Sequence, residues 1–129
     1  MNTFPKNFKT CFDVLTSRDR GWLEYSLAAA IVSGGRVLSV GMNKQKFNSI
    51  IDVFKTNEWS NIHAEVDAIL RVRNKIDLTG SKIYVARMTV DGDIRNAMPC
   101  EMCVNILRTY GIKRAIYTID DSSYGVLKI

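Results

Sequence analysis

Apolar residues recur along this chain at two spacings, and the change between them divides it into helices and strands. In residues 5–17, Phe8, Cys11, Phe12 and Leu15 fall three and four apart, which predicts an amphipathic helix. Gly21 breaks that pattern. Residues 24–33 read as a strand, with β-branched Ile31 and Val32 near its end. Ser33-Gly34-Gly35-Arg36 predicts a tight hairpin turn, because adjacent glycines accept positive φ. Residues 37–40 are the return strand of an antiparallel pair, which Gly41-Met42-Asn43 ends.

A longer connection, residues 44–61, follows. Phe47, Ile50, Ile51 and Phe54 within it fall at i, i+3, i+4 and i+7, the spacing of a short amphipathic helix. Its apolar side serves either packing and subunit contact or a wall over a site. A firmer helix begins around His63, with Val66, Ile69 and Leu70 on its buried face and Asn74 and Lys75 suited to its end. Residues 81–86 predict a third strand, and Asp91-Gly92 a turn. Pro99 is expected to open the next helix at its first position. Cys103, Leu107 and Tyr110 form the inward stripe of that helix, and Gly111 stops it. Residues 114–119 predict a fourth strand. The ten residues after it are too few for a helical crossover, which takes a dozen or more. A fifth strand must therefore return as an antiparallel hairpin through residues 120–124. This order predicts one α/β domain over residues 1–129, with one mixed sheet of four to five strands covered by helices.

Composition narrows the setting. At 129 residues and 47% hydrophobic, the chain suits a single globular core. The first ten residues carry Lys6 and Lys9 and no apolar run, and no apolar stretch is long enough to cross a bilayer. A cytoplasmic protein with no membrane partner is expected. Three cysteines do not make a disulfide framework, and Cys11, among Phe8, Phe12, Val14 and Leu15, reads as a core residue. A net charge of +5 favours an anionic partner, although the basic residues are scattered enough to be solvated surface.

The chemistry is concentrated in two short segments, His63-Ala64-Glu65 and Pro99-Cys100-Glu101-Met102-Cys103. One imidazole and two thiolates make three zinc ligands, and a tetrahedral zinc keeps its fourth place for water. Zinc lowers the pKa of such water toward about 7. Both segments fall at predicted helix starts, whose N–H groups and partial positive charge favour thiolate over thiol. Glu65 need not bind metal and can carry protons as a general acid and base. A closed structural site would want a fourth Cys or His, and only the distant Cys11 is left over. A redox Cys-x-x-Cys would leave His63-Ala64-Glu65 unexplained. His-x-Glu followed by Pro-Cys-x-x-Cys is the signature of zinc-dependent nucleobase deaminases.

The chain resembles the cytidine and deoxycytidylate deaminase superfamily over most of its length. Residues 29–43 are similar to that family's first hairpin. His63-Ala64-Glu65-Val66-Asp67-Ala68-Ile69 is similar to the His-Ala-Glu-x-x-Ala-Ile segment of its dCMP-type members, and residues 99–103 to its second motif. The resemblance implies a three-layer fold ending in an antiparallel C-terminal hairpin. It implies one zinc on His63, Cys100 and Cys103, Glu65 as the catalytic acid–base, Ala64 at the substrate and more often an oligomer than a monomer. It also implies that Asn43 contacts the substrate sugar; read as a residue alone, Asn43 is equally a turn-forming Asn. Asp67, Asn96 and Met98 depart from individual branches, so no single subfamily fits throughout.

The leading expectation is hydrolytic deamination of a cytosine nucleoside or nucleotide, with small (d)CMP-like substrates ahead. A deaminase acting within RNA or single-stranded DNA is the alternative, with Phe47, Phe54 and Trp59 beside Lys44, Lys46 and Lys55 as its groove. A zinc-stabilised binding module without activity is a third option, against which the intact Glu65 argues.

Overall fold

The computed structural model describes residues 4–18, 25–45 and 61–129, so Gly21 and the expected helix near residues 47–54 lie outside the described residues. Helix α1 spans Phe8–Ser17. Strands β1 (Tyr25–Ser33) and β2 (Arg36–Met42) form the expected hairpin, with Gly34 at φ 56° and Gly35 at φ 78° in its turn. A two-residue ladder follows, β3 (Lys44–Gln45) with β4 (Asn61–Ile62). Then come α2 (Ala64–Val72), β5 (Lys82–Thr89), β6 (Ile94–Arg95), α3 (Glu101–Thr109), β7 (Arg114–Asp120) and β8 (Ser123–Lys128).

The main sheet runs β2-β1-β5-β7-β8, with β6 pairing on β5. The five-stranded path agrees with the four to five strands expected, and β8 returns antiparallel to β7 as the expected C-terminal hairpin. The ladder β3/β4 and strand β6 were not expected, since two residues are too few to show a period. Strand β7 pairs with only the first half of β5, residues Lys82 to Val85, and β6 takes Arg87 and Met88 beyond it.

Alternation along β1 explains the layers, since successive side chains of a strand point to opposite faces. Ala28, Ala30 and Val32 join a cluster with Phe8, Cys11, Phe12 and Leu15 of α1. Ala29 and Ile31 join the opposite cluster with Ala64, Ala68 and Ile69 of α2 and Leu107 of α3. Helices therefore cover both faces in three layers. On the α1 side Phe8 is fully buried and meets Tyr84 edge-on at 5.3 Å. Truncating such a ring to Ala costs about 3–5 kcal/mol. Cys11 belongs to this core: its thiol reaches Tyr84 O at 3.4 Å, and burial pushes its pKa up to about 12.

Strand direction places the functional edge. Both β2 and β5 run antiparallel to β1, so they run the same way, and β7 is parallel to β5. The carboxyl ends of β2, β5 and β7 thus share one edge of the sheet, the usual ligand edge of open α/β sheets. The β3/β4 pairing brings Ile62 beside Lys44, so α2 begins close to where β2 ended. In the same way β6 folds back onto Arg87 and Met88, returning the chain toward the end of β5 before α3. Both helices therefore start at the same edge.

Candidate metal centre and cleft

His63 and Cys100 occupy equivalent places at the starts of α2 and α3. Each is its helix N-cap, in extended conformation at ψ 149° and ψ 167°. The His63 carbonyl accepts from Asp67 N–H at 3.0 Å, and the Cys100 carbonyl from Val104 N–H at 2.9 Å. Neither side chain caps its helix. Ser, Thr, Asp or Asn at this position would bond the first-turn N–H groups; here both side chains turn to one another instead. Pro99 consequently lies one residue before the N-cap, not at the first helical position. Cys100 intervenes because its carbonyl already accepts the first helical bond.

The three expected ligand atoms lie within 4.8 Å of one another. His63 Nδ1 is 3.2 Å from Cys103 Sγ and 3.6 Å from Cys100 Sγ. A tetrahedral zinc with ordinary bond lengths needs N···S separations of about 3.5 Å. The donor set and its spacing therefore fit zinc. Cys103 is fully buried against Ile62 and Val66, whereas Cys100 opens onto solvent. The Cys100 thiol is held down to about 3, first by its hydrogen bond with Cys103 and then by His63. Cys103 is pushed up by the same bond and by burial. Cys100 is thus the readier thiolate of the two, and zinc binding would require both thiols to give up their protons.

Glu65, the second residue of α2, is only 4% exposed. Burial raises its carboxyl pKa, against the opposing pull of its own N–H and of His63. An upward shift is the direction that suits a group that picks up and hands on a proton.

His63, Ala64, Glu65 and Cys100 line one cleft of about 180 Å³, together with Asn43. Asn43 is buried and held on several sides. Its Oδ1 accepts from Leu27 N–H at 2.8 Å and from Arg18 Nη1 at 2.9 Å, and its Nδ2 donates to Tyr25 O at 3.3 Å. Its oxygen is thereby fully used, and among the described residues one Nδ2 hydrogen remains beyond the bond to Tyr25. Ala64, the first residue of α2, is fully buried in the cleft wall and offers no polar side-chain group.

The cleft also contains residues absent from the expected site: Tyr25, Leu27, Arg87, Asn96 and Met98. Asn96 Oδ1 accepts from Met98 N–H at 2.8 Å, an Asx turn that holds the chain ahead of Pro99. Arg87 left one trace in the sequence, a cation in the otherwise apolar run Tyr84-Val85-Ala86-Arg87-Met88. Neighbouring cations are engaged elsewhere. Asp67 takes Lys44 Nζ at 3.1 Å and Arg71 Nε at 3.1 Å. Among the described residues no helix is long and apolar enough to cross a membrane.

Residues 8–119 match a protein family described as the cytidine and deoxycytidylate deaminase zinc-binding region. No curated protein matches the chain in sequence. Among solved structures, cytidine deaminase from Burkholderia pseudomallei is similar with a TM-score of 0.67 at 15% identity, over 97% of this chain and 93% of that one. Cytidine deaminase from Mycobacterium leprae gives 0.57 at 16% identity, over 95% and 94%. The apo dCMP deaminase of cyanophage S-TIM5 gives 0.55 at 18% identity, over 90% and 85%. At these identities the likeness is one of fold. With the matched zinc-binding region, His63, Cys100 and Cys103 make a candidate site for one zinc ion.

Proposed function

Because the chain belongs to the cytidine and deoxycytidylate deaminase zinc-binding family, we propose that it hydrolyses the exocyclic amine of a cytosine nucleoside or nucleotide, giving the uracil form and ammonia. The observation that carries this reading is Glu65, buried in the wall of the same cleft as His63 and Cys100. His63, Cys100 and Cys103 would hold zinc, which would supply a Lewis acid that makes water nucleophilic at neutral pH. Glu65 takes the proton of the attacking water and delivers it to the ring nitrogen beside the reacting carbon. It then passes a proton to the departing amine. One water is consumed and one ammonia leaves for each carbonyl formed.

Among the described residues Asn43 has one N–H left to donate, which suits a sugar oxygen. Ala64 has no polar side-chain group to offer, and a backbone N–H in the first turn of α2 suits an oxygen of the base. A small substrate is favoured over a strand. Lys44, the one described residue of the expected strand-binding set, has its ammonium bound to Asp67 at 3.1 Å. The reading keeps the enzyme in a reducing, cytoplasmic setting, and a homo-oligomer as the assembly to test by sedimentation.

The experiment is ammonia release by zinc-loaded protein from cytidine, deoxycytidine, CMP, dCMP, guanine and cytosine-containing oligonucleotides. Turnover of a free cytosine compound above the oligonucleotides is expected. Turnover of guanine alone, or of oligonucleotides with activity falling steeply as salt rises, would replace this reading.

A further inference from the structure

Arg87 stands in the cleft wall near the carboxyl end of β5. Its cross-strand partner on β1 is Leu27, and Tyr25 pairs with the next residue but one, Thr89. Arg87 and Tyr25 are thus diagonal neighbours on one face, within reach for long and aromatic side chains. The guanidinium carbon lies 4.2 Å from the centre of the Tyr25 ring. The backbone beneath is also tied down. Arg87 N–H donates to Thr118 Oγ1 at 3.2 Å, and the Thr118 hydroxyl donates to Arg95 O at 2.8 Å.

The guanidinium is held but not satisfied. Its Nε is buried with no acceptor, and no carboxylate pairs with it among the described residues. Among the described residues the other cations named near this edge have partners: Lys44 and Arg71 share Asp67, Arg95 reaches Asp93 at 3.3 Å, and Arg18 grips Asn43. A half-buried guanidinium held over a ring in a cleft wall, with no carboxylate beside it among the described residues, suits an anion. Planar guanidinium matches phosphate oxygens two at a time.

We propose that Arg87 reads the anionic group of the substrate, and that this group is the monophosphate of a free nucleotide. The inference rests on the deaminase reading and deepens it, turning "nucleoside or nucleotide" into nucleotide. A free nucleotide is favoured over a strand because, among the described residues that line the cleft, Arg87 is the single arginine or lysine. A strand-binding groove uses a track of cations and stacked rings.

The test uses zinc-loaded protein and the product pair dUMP and deoxyuridine, which do not turn over, with affinities measured by calorimetry. Wild type is expected to bind dUMP at least about tenfold more tightly than deoxyuridine, the scale of a charge-assisted hydrogen bond. Arg87→Gln should weaken dUMP about tenfold or more and deoxyuridine by less than about threefold. Arg87→Lys should recover part of the dUMP affinity, since it restores charge without the fork. Equal losses on both ligands, unchanged discrimination in Arg87→Gln, or no dUMP binding at millimolar concentration overturns the proposal. A uracil-containing single strand that binds more tightly than dUMP and depends equally on Arg87 overturns the free-nucleotide assignment. Ammonia release is scored separately. Phosphate discrimination through Arg87 without any turnover would leave this anion site standing and defeat the deaminase reading.

Discussion

Gly41 of β2 lies directly against the backbone of Ala68 in α2. A Cβ at position 41 would overlap Ala68 N and the Ala64 carbonyl. That contact sets how closely α2 approaches the sheet, and α2 carries Glu65 with His63 at its cap. Gly41→Ala is expected to cost about 1–3 kcal/mol, as overpacking does, and to lower zinc retention by displacing His63. Thermal melting and zinc per chain measure both. A variant with wild-type melting and full zinc would show that the contact relaxes freely.

Cys103→Ala should lose zinc and a large part of the stability. Cys103 is fully buried between the two helix starts, and closing the metal site is coupled to folding. Elemental analysis of the purified variant decides this: one zinc per chain would remove Cys103 from the ligand set.

Glu65→Gln keeps the shape of a buried side chain while removing its proton traffic. The fold and zinc content should persist, and turnover should fall by about 10²–10⁴ or more. An active Glu65→Gln protein would falsify the acid–base role.

Asn43→Ala removes two different things. Leu27 N–H and Arg18 lose their acceptor, and the cleft loses one N–H donor. A stability loss of about 1–3 kcal/mol is expected from the unpaired Leu27 N–H. At a temperature where the variant is folded, kcat/KM should fall by a further comparable amount, with zinc still bound. Lost stability with unchanged kcat/KM would make Asn43 a scaffold residue only.

Asp67 makes stability depend on acid. Burial alone would raise its carboxyl pKa. The Met42 N–H at 3.0 Å, Lys44 and Arg71 outweigh burial and hold it below the ordinary 3.8. A depressed folded pKa contributes stability that is complete above the unfolded value and is lost as pH falls through the folded one. Urea unfolding from pH 7 to pH 2 should show wild type more stable than Asp67→Asn at neutral pH, with the gap closing below about pH 4. A gap constant with pH would mean that the carboxylate charge contributes nothing.

The sequence by itself determined what rests on near neighbours. Gly34-Gly35 made the first turn legible, because positive φ belongs to single residues. The spacing of Phe8, Cys11, Phe12 and Leu15 made α1 legible, and all four are buried. His-x-Glu and Cys-x-x-Cys named the metal chemistry, because ligand type and spacing are local properties. The antiparallel return expected after residue 119 is β8.

Only the tertiary structure decided how distant segments meet. It put His63 Nδ1 within 3.6 Å of Cys100 Sγ by starting both crossover helices at one sheet edge. It also showed that Asn43 is held by Arg18, Leu27 and Tyr25, and that Asp67 ties α2 to Met42. Strand β6 escaped the sequence because two residues, Ile94 and Arg95, carry no period, and their pairing on β5 depends on Thr118 and Asp121 as neighbours. Arg87 escaped for the same reason. A cation in a strand looks like solvated surface until sheet register lays it over Tyr25 and burial leaves its Nε without an acceptor. Periodicity and turn chemistry are set within a few residues. Register, close approach and the pairing of buried charges are set by residues far apart in the chain, and no local pattern encodes them.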